Sequence, residues 1–195
     1  MSQDARRLDP SVVPGATLAP FPGFIEPCHP TLRQKAPSGG DWVHEIKFDG
    51  YRTQAHLRNG EPAIYTRRGY DWTRRFQPIA DALAALSAKD VILDGEAVVA
   101  DSRGMPDFGL LHADLAAGRQ DRLLYYAFDL LYLDGFDLRG ARLAERKRIA
   151  AELLTGASDR ILYASSASSR TRPIAPGAWK AGSRSSAASA TRSRS

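Results

Sequence analysis

His44-Glu45-Ile46-Lys47-Phe48-Asp49-Gly50-Tyr51-Arg52 joins two strand-like stretches through an Asp-Gly pair. Residues 42–48 and 51–57 alternate in character, and Asp-Gly between alternating runs is the strongest short-range hairpin signal. A hairpin is therefore expected here. Period two sets Glu45 and Lys47 on one face of the first strand and Ile46 and Phe48 on the other. The turn then returns Arg52 toward the lysine.

Outward from this stretch, Ala63 to Arg67 reads as a further strand. Asp71-Trp72-Thr73 offers a cap for a helix through Pro78-Ile79, with Ile79, Leu83 and Leu86 at helical spacing. Val91 to Ala100 reads as a strand interrupted by Asp94-Gly95, and Phe108 to Leu115 as a short helix. Leu124 to Leu133 is almost continuously apolar and aromatic, as in a strand buried on both faces. Leu143 to Leu154 is an amphipathic helix that Gly156 stops. These elements make an α+β fold with antiparallel-leaning sheets and flanking helices.

The ends differ from the body. Residues 1 to about 40 are rich in Pro and Gly without periodicity, and 1–20 read as a disordered lead-in. Beyond Tyr163 the texture turns to Ser, Ala, Arg and Pro, so 164–195 read as a disordered basic tail.

The 195 residues are 43% hydrophobic, enough for one sizeable core. No apolar run reaches the roughly 18 residues of a membrane span, and Met1 to Arg7 lacks the apolar stretch of a secretory signal. Cys28 is alone, so no internal disulfide and no cysteine metal cluster can form. A cytoplasmic protein of bacterial type, with no membrane partner, is expected. The net charge is +5, but Ala164 to Ser195 hold six Lys/Arg and no acidic residue. Without that tail 21 basic residues face 22 acidic ones. DNA affinity of the body must then come from local patches such as Arg67-Arg68 and Arg74-Arg75.

The chemistry sits in Lys47-Phe48-Asp49-Gly50-Tyr51-Arg52. A lysine attacks a phosphorus atom only as the free amine, and its ordinary pKa is about 10.4. Neighbouring cations such as Arg52, Arg67 or a bound metal lower it. An ordinary hairpin with exposed charges is the competing reading of six residues alone. His29, His44, His56 and His112 show no metal-ligand spacing.

Lys47-x-Asp49-Gly50-x-Arg52 resembles the nucleophile motif of the covalent nucleotidyltransferases, the DNA ligases, RNA ligases and capping enzymes. Ile64-Tyr65-Thr66-Arg67-Arg68-Gly69 is similar to the ligase strand whose arginine contacts ribose or phosphate, although Asn is more usual than Arg68. Leu93-Asp94-Gly95-Glu96 resembles the third motif, whose glutamate lies near ribose and metal. Tyr126-Ala127-Phe128-Asp129-Leu130-Leu131 resembles the next, whose aromatic ring stacks on the purine. Pro22-Gly23-Phe24-Ile25-Glu26-Pro27, Trp42-Val43-His44-Glu45 and Tyr132-Leu133-Asp134-Gly135 narrow the resemblance to the ligase domain of bacterial ligase D, over about residues 21–163.

That resemblance implies an ATP-grasp-like nucleotidyltransferase domain that uses ATP and Mg2+ (or Mn2+) to seal nicked or broken double-stranded DNA. It implies work with end-joining factors at the nucleoid. Lys47 would be the nucleophile, supported by Asp49 and Gly50. Glu45, Arg52, Arg67, Glu96 and Phe128 would hold the nucleotide, with Glu96 also a metal ligand. An RNA ligase or capping-type enzyme is the alternative from the same motif, and a non-catalytic remnant that binds nucleotide or DNA weakly is another. Such a domain continues with a Glu-Gly metal motif and a lysine-rich strand, neither of which follows Tyr163. The codons of Trp179-Lys180-Ala181, read one base earlier, admit an aliphatic residue followed by Glu-Gly. Residues after Tyr163 or Ala164 are thus expected to be out of frame, the domain incomplete at its C-terminus, and its activity impaired.

Overall fold

The computed structural model describes residues 8–28 and 48–164, together with the backbone of 42–45 and 189–192. Its centre is an antiparallel stack of long strands: β3 (Tyr51–Arg58), β4 (Glu61–Thr66), β5 (Asp90–Val99) and β6 (Leu123–Leu133). With the short strands β1 (Thr17–Leu18), β7 (Phe136–Asp137) and β8 (Ile161–Tyr163), they form a seven-stranded sheet in the order β1-β7-β6-β5-β3-β4. β8 adds to β6 in parallel. Three helices flank the sheet: α1 (Gln77–Ala84), α2 (Phe108–Ala116) and α3 (Leu143–Leu153). The α+β architecture read from the sequence is the one observed.

Alternation along the strands creates two unlike faces. Ala55 and Leu57 of β3, Val91, Leu93 and Ala97 of β5, and Tyr125, Ala127 and Leu130 of β6 form the core face. α1 closes it with Ile79, Ala80 and Leu83, all fully buried. The expected Ile79, Leu83 and Leu86 stripe is therefore the buried one. The opposite face carries Arg52, Gln54 and His56 of β3, whose register partners on β5 are Glu96, Asp94 and Ile92.

Three expectations need correction. First, Asp49-Gly50 is not a hairpin turn. β2 (Trp42–Glu45) pairs with β9 (Ser189–Arg192) in a separate two-stranded sheet, whereas β3 pairs with β4 and β5. The two-residue turns are Asn59-Gly60 and Asp134-Gly135, where both residues have positive φ, the geometry that continues the twist of paired strands. Gly50 is needed for a different reason: a Cβ there would collide with the Ala97 carbonyl. Second, β5 is not interrupted at Asp94-Gly95 but runs through, its irregularity being absorbed by β6. Third, α1 begins at Gln77, after the 3-10 turn Thr73–Phe76, rather than directly at the Asp71-Trp72-Thr73 cap. Toward the N-terminus Val13 is 2% exposed within the core and β1 pairs with β7, while of residues 165–195 only the backbone of 189–192 is described. One apolar anchor and a few ladder hydrogen bonds suffice where a neighbouring edge is open.

Residues 19–28 form a strap along the polar face, antiparallel to β3. The Tyr132 hydroxyl donates to the Ala19 carbonyl at 2.8 Å. Phe21 meets His56 and Tyr132 edge-on at 5.6 and 5.2 Å. The Gln54 amide accepts from Ile25 N–H at 3.1 Å and donates back to the Ile25 carbonyl, as a neighbouring strand would. The Arg52 guanidinium ends the series on the Cys28 carbonyl at 2.9 Å.

His56 lies beneath this strap, 4% exposed, and burial pushes its pKa down to about 4. Unfolded His56 binds a proton below about 6.5, whereas the folded ring stays neutral down to about 4. Stability from this group is therefore complete above pH 6.5 and is lost as pH falls toward 4, by roughly 3 kcal/mol in total. Melting temperature should drop between pH 7 and pH 5, and His56→Phe should flatten that drop; an equally steep profile in the variant would remove His56 as its cause.

Candidate active site

The polar face gathers its charges where β3, β5 and β6 run side by side. Arg52 is fixed by Asp94: Nε donates to Oδ1 at 3.2 Å and Nη2 to Oδ2 at 2.8 Å. Asp94 is only 5% exposed. Burial pushes its carboxyl pKa up, while the bonds and charge of Arg52 pull it down and the nearby Asp129 raises it again. A two-point fork is the geometry that best compensates a desolvated carboxylate. The same guanidinium lies 5.5 Å from the centre of the Phe128 ring.

A β-bulge explains why Phe128 and Asp129 both belong to this region. Asp94 is opposite Asp129 and Gly95 opposite Ala127, so Phe128 is the extra residue on β6. Burial, alternating from Leu123 to Ala127, then shows two half-buried residues in a row. A bulge bends the strand and resets its parity. Asp129 would otherwise share the core face of Ala127.

Gly95 makes this geometry possible. A Cβ at Gly95 would stand 2.5 Å from Tyr125 Cζ and 2.5 Å from the Tyr126 carbonyl. The Tyr125 ring crosses it, and its hydroxyl donates toward the carbonyls of Thr53 at 3.0 Å and Leu93 at 3.1 Å. One buried phenol so links three strands beneath the site.

The turn before β3 is tied to the same place. Gly50 N–H donates to Glu96 Oε1 at 3.2 Å, and Phe48 stacks on Tyr126 with centroids 4.4 Å apart. The Arg67 amide donates to the Arg52 carbonyl at 3.1 Å. Arg52 thus links the sequence candidates: Glu96 faces it in register, Phe128 lies beside its guanidinium and the Arg67 backbone amide bonds its carbonyl, while Asp49 is exposed. Lys47 lies outside the described residues. Glu45 is described only through its backbone in β2.

Several residues of the site were not singled out from the sequence. Asp94 passed for a turn residue, and Tyr126 and Asp129 were only quoted within a motif. Arg146 and Lys147 of α3 went unnoticed. Lys147 is 4% exposed and donates to the Phe128 carbonyl at 2.7 Å. The available signal was a lysine four residues after Leu143 and three before Ala150, on the stripe that α3 buries.

Among the described residues no three His, Cys, Asp or Glu side chains converge as a metal cage. Glu96, with Oε1 engaged by Gly50, fits instead the mode in which Mg2+ is held by one carboxylate together with substrate phosphates.

Residues 28–174 match the ATP dependent DNA ligase domain, and the chain belongs to that family. It is 41% identical over 137 residues to the multifunctional non-homologous end joining protein LigD of Pseudomonas aeruginosa, covering 70% of this chain and 16% of that protein. It is 35% identical over 157 residues to a DNA ligase of Methanoculleus marisnigri, covering 76% of this chain and 29% of that one. The chain therefore spans less than a third of the length of either curated relative. Among solved structures, the ligase domain of M. tuberculosis LigD superposes with a TM-score of 0.53 at 34% identity, covering 64% of this chain and 40% of that domain. A mycobacterial DNA ligase D complexed with ATP and MES superposes with a TM-score of 0.51 over the same shares. The match begins at Cys28, where the strap meets Arg52, and its far end lies beyond the expected boundary at Tyr163.

Gly95→Ala is expected to destabilise the chain by about 1–3 kcal/mol, since the added methyl meets backbone and a fully buried ring. Urea unfolding checks this; a midpoint within error of the starting chain would mean that the β5–β6 contact yields more easily than its geometry indicates.

Proposed function

We propose that this chain is the adenylating part of an ATP-dependent DNA ligase of the end-joining type. The observation that supports this reading is that, just after Lys47 in sequence, Gly50 bonds Glu96 and Arg52 lies beside Phe128 while its carbonyl accepts the Arg67 amide. In the reaction so implied, the Lys47 amine attacks the α-phosphorus of ATP. A P–N bond forms, the bond to the bridging oxygen of the β-phosphate breaks, and pyrophosphate leaves. The AMP passes from the lysine to the 5′-phosphate at a nick. The 3′-hydroxyl then attacks that phosphate, closes the strand and releases AMP.

The described residues suit their parts. Phe128 offers an aromatic face for the purine beside a cation that cannot lose its proton. Arg52, held at two points by Asp94, keeps its orientation without reorganising when charge develops on phosphate. Glu96 fixes the Gly50 amide and so the exit of the turn. Mg2+, held by Glu96 and the phosphates, would neutralise phosphate charge. Glu45 completes the proposed nucleotide set.

DNA is the proposed second substrate, with nicked or broken duplex preferred, and its phosphates meet the exposed arginines. Arg74 and Arg75 lie in the 3-10 turn Thr73–Phe76, and Arg75 also covers Trp72 at 4.8 Å. The Gln120 amide donates to the Arg74 carbonyl at 2.9 Å, joining this turn to the loop that bears Arg119 and Arg122. Arg67-Arg68 supply a second exposed patch. Association with end-joining factors at the nucleoid belongs to the same proposal. So does the out-of-frame origin of residues after Ala164, which the nucleotide sequence across those codons decides.

Incubation with α-labelled ATP and Mg2+ should label the chain covalently, and Lys47→Ala should abolish the label. Label retained in the variant would discard Lys47. Preferential labelling by GTP would favour a capping-type enzyme, and no label at all would favour a remnant.

Binding to a nicked duplex should weaken with salt, and Arg74→Glu with Arg75→Glu should reduce the slope of log affinity against log salt by roughly 1–2, about one for each phosphate that is no longer neutralised. Fluorescence anisotropy from low to moderate salt measures this. An unchanged slope would remove the 73–76 turn from the DNA contacts.

A further inference from the structure

We infer that Asp129 and Arg146 form a positioning pair that holds Arg52 on Asp94, so that α3 sets the cation of the nucleotide site from outside it. This rests on the ligase reading for its consequence on ATP, but the pairing itself is read from geometry alone.

Two arginine–carboxylate forks stand back to back across β5 and β6. Arg52 grips Asp94 with Nε and Nη2 at 3.2 and 2.8 Å. Arg146 grips Asp129 with the same two nitrogens, each at 2.8 Å. Asp94 and Asp129 are register partners on adjacent strands, placed together by the bulge at Phe128. Like charges opposite one another in a sheet repel. They are tolerated here because each faces its own guanidinium. All four side chains are largely buried, 24 and 6% exposed in the first pair and 14 and 17% in the second.

The order of charges is Arg52, Asp94, Asp129, Arg146. Removing Arg146 leaves Asp129 as an uncompensated anion beside Asp94. Arg52 is then shared between two carboxylates and drawn away from Phe128, which misplaces the cation proposed to hold nucleotide. Arg146 is itself locked, since Nη1 donates to the Ala141 carbonyl at 2.8 Å just ahead of α3. The neighbouring Lys147 holds the Phe128 carbonyl, so two successive residues of α3 fix the bulge. Among the described residues, the other charged or titratable neighbours include Glu96 on β5, Tyr125 on β6, Cys28 on the strap and Asp137 on β7.

A merely structural ion pair and a positioning pair differ in what a second substitution does. Arg146→Met alone leaves the stray charge, whereas Arg146→Met with Asp129→Asn removes it while keeping the shape. Nitrogen-15 NMR of the Arg52 Nε–H group in the full chain at fixed pH, assigned by its loss in Arg52→Lys, reads this without nucleotide. Its proton should exchange with water about tenfold faster in Arg146→Met than in the starting chain, and return in the double variant. Asp129→Asn alone, which leaves no second carboxylate to compete for Arg52, should not speed the exchange, and this variant decides the matter where Arg146→Met does not melt cooperatively. An Arg52 resonance whose exchange is unchanged in Arg146→Met, that changes equally in the single and double variants, or that exchanges faster in Asp129→Asn overturns the inference. In parallel, ATP affinity by calorimetry should fall about tenfold in the single variant and recover to within about threefold in the double. A starting chain that binds no ATP counts against the ligase reading alone, because the Arg52 resonance still decides the pair.

Discussion

A carboxylate at the centre of a sheet is the constraint on which this site depends. Asp94 is 5% exposed on the middle strand, where water cannot solvate it. Leaving such a group ionised without a partner costs several kcal/mol, and only a well-formed fork with further hydrogen bonds compensates. Arg52 is the partner, and satisfying Asp94 fixes Arg52 in turn. The rigidity of the cation is thus a by-product of the burial of its counterion. The same requirement recurs one strand over with Asp129 and Arg146.

Around that pair the sheet is shaped by close approach rather than by volume. Gly95 lets the Tyr125 ring cross its strand, and Gly50 lets the chain pass over the Ala97 carbonyl. The bulge at Phe128 turns two successive side chains of β6 to where they are wanted. Each device removes or displaces one atom or residue from regular geometry. Together they place polar and aromatic groups side by side on one face while the other face stays a conventional core over α1.

The sequence made the elements and the site's main candidates legible for different reasons. The ends of α2 and α3 fall within a residue of expectation, whereas α1 starts only after a 3-10 turn that follows the expected cap. Arg52, Arg67, Glu96 and Phe128 were found through motif resemblance, and the fold brings them together. The partnership of strands was not legible. Asp-Gly occurs at residues 49, 94 and 134, and only the last makes a two-residue hairpin turn. Local chemistry permits a turn at all three; tertiary pairing selects one. Arg146 and Asp129 are 17 residues apart in sequence and meet only after α3 packs back on β6. No local pattern encodes that meeting, and an arginine on an amphipathic helix reads as surface. Val13 and β1 are held by a few long-range contacts that composition does not encode.

The strap has a consequence for the order in which the protein is made. Its anchor at Ala19 bonds to Tyr132, 113 residues later, and β1 can pair with β7 only once residue 137 has emerged. Contacts so distant in sequence form late, because loop closure must precede them. During synthesis at about 5–20 residues per second, the His56 and Gln54 face therefore stands open for several seconds before residues 19–28 can settle on it. The site's first-made wall is its last to close, and a nascent chain exposes that half-polar strand face for as long as β6 is still being threaded out.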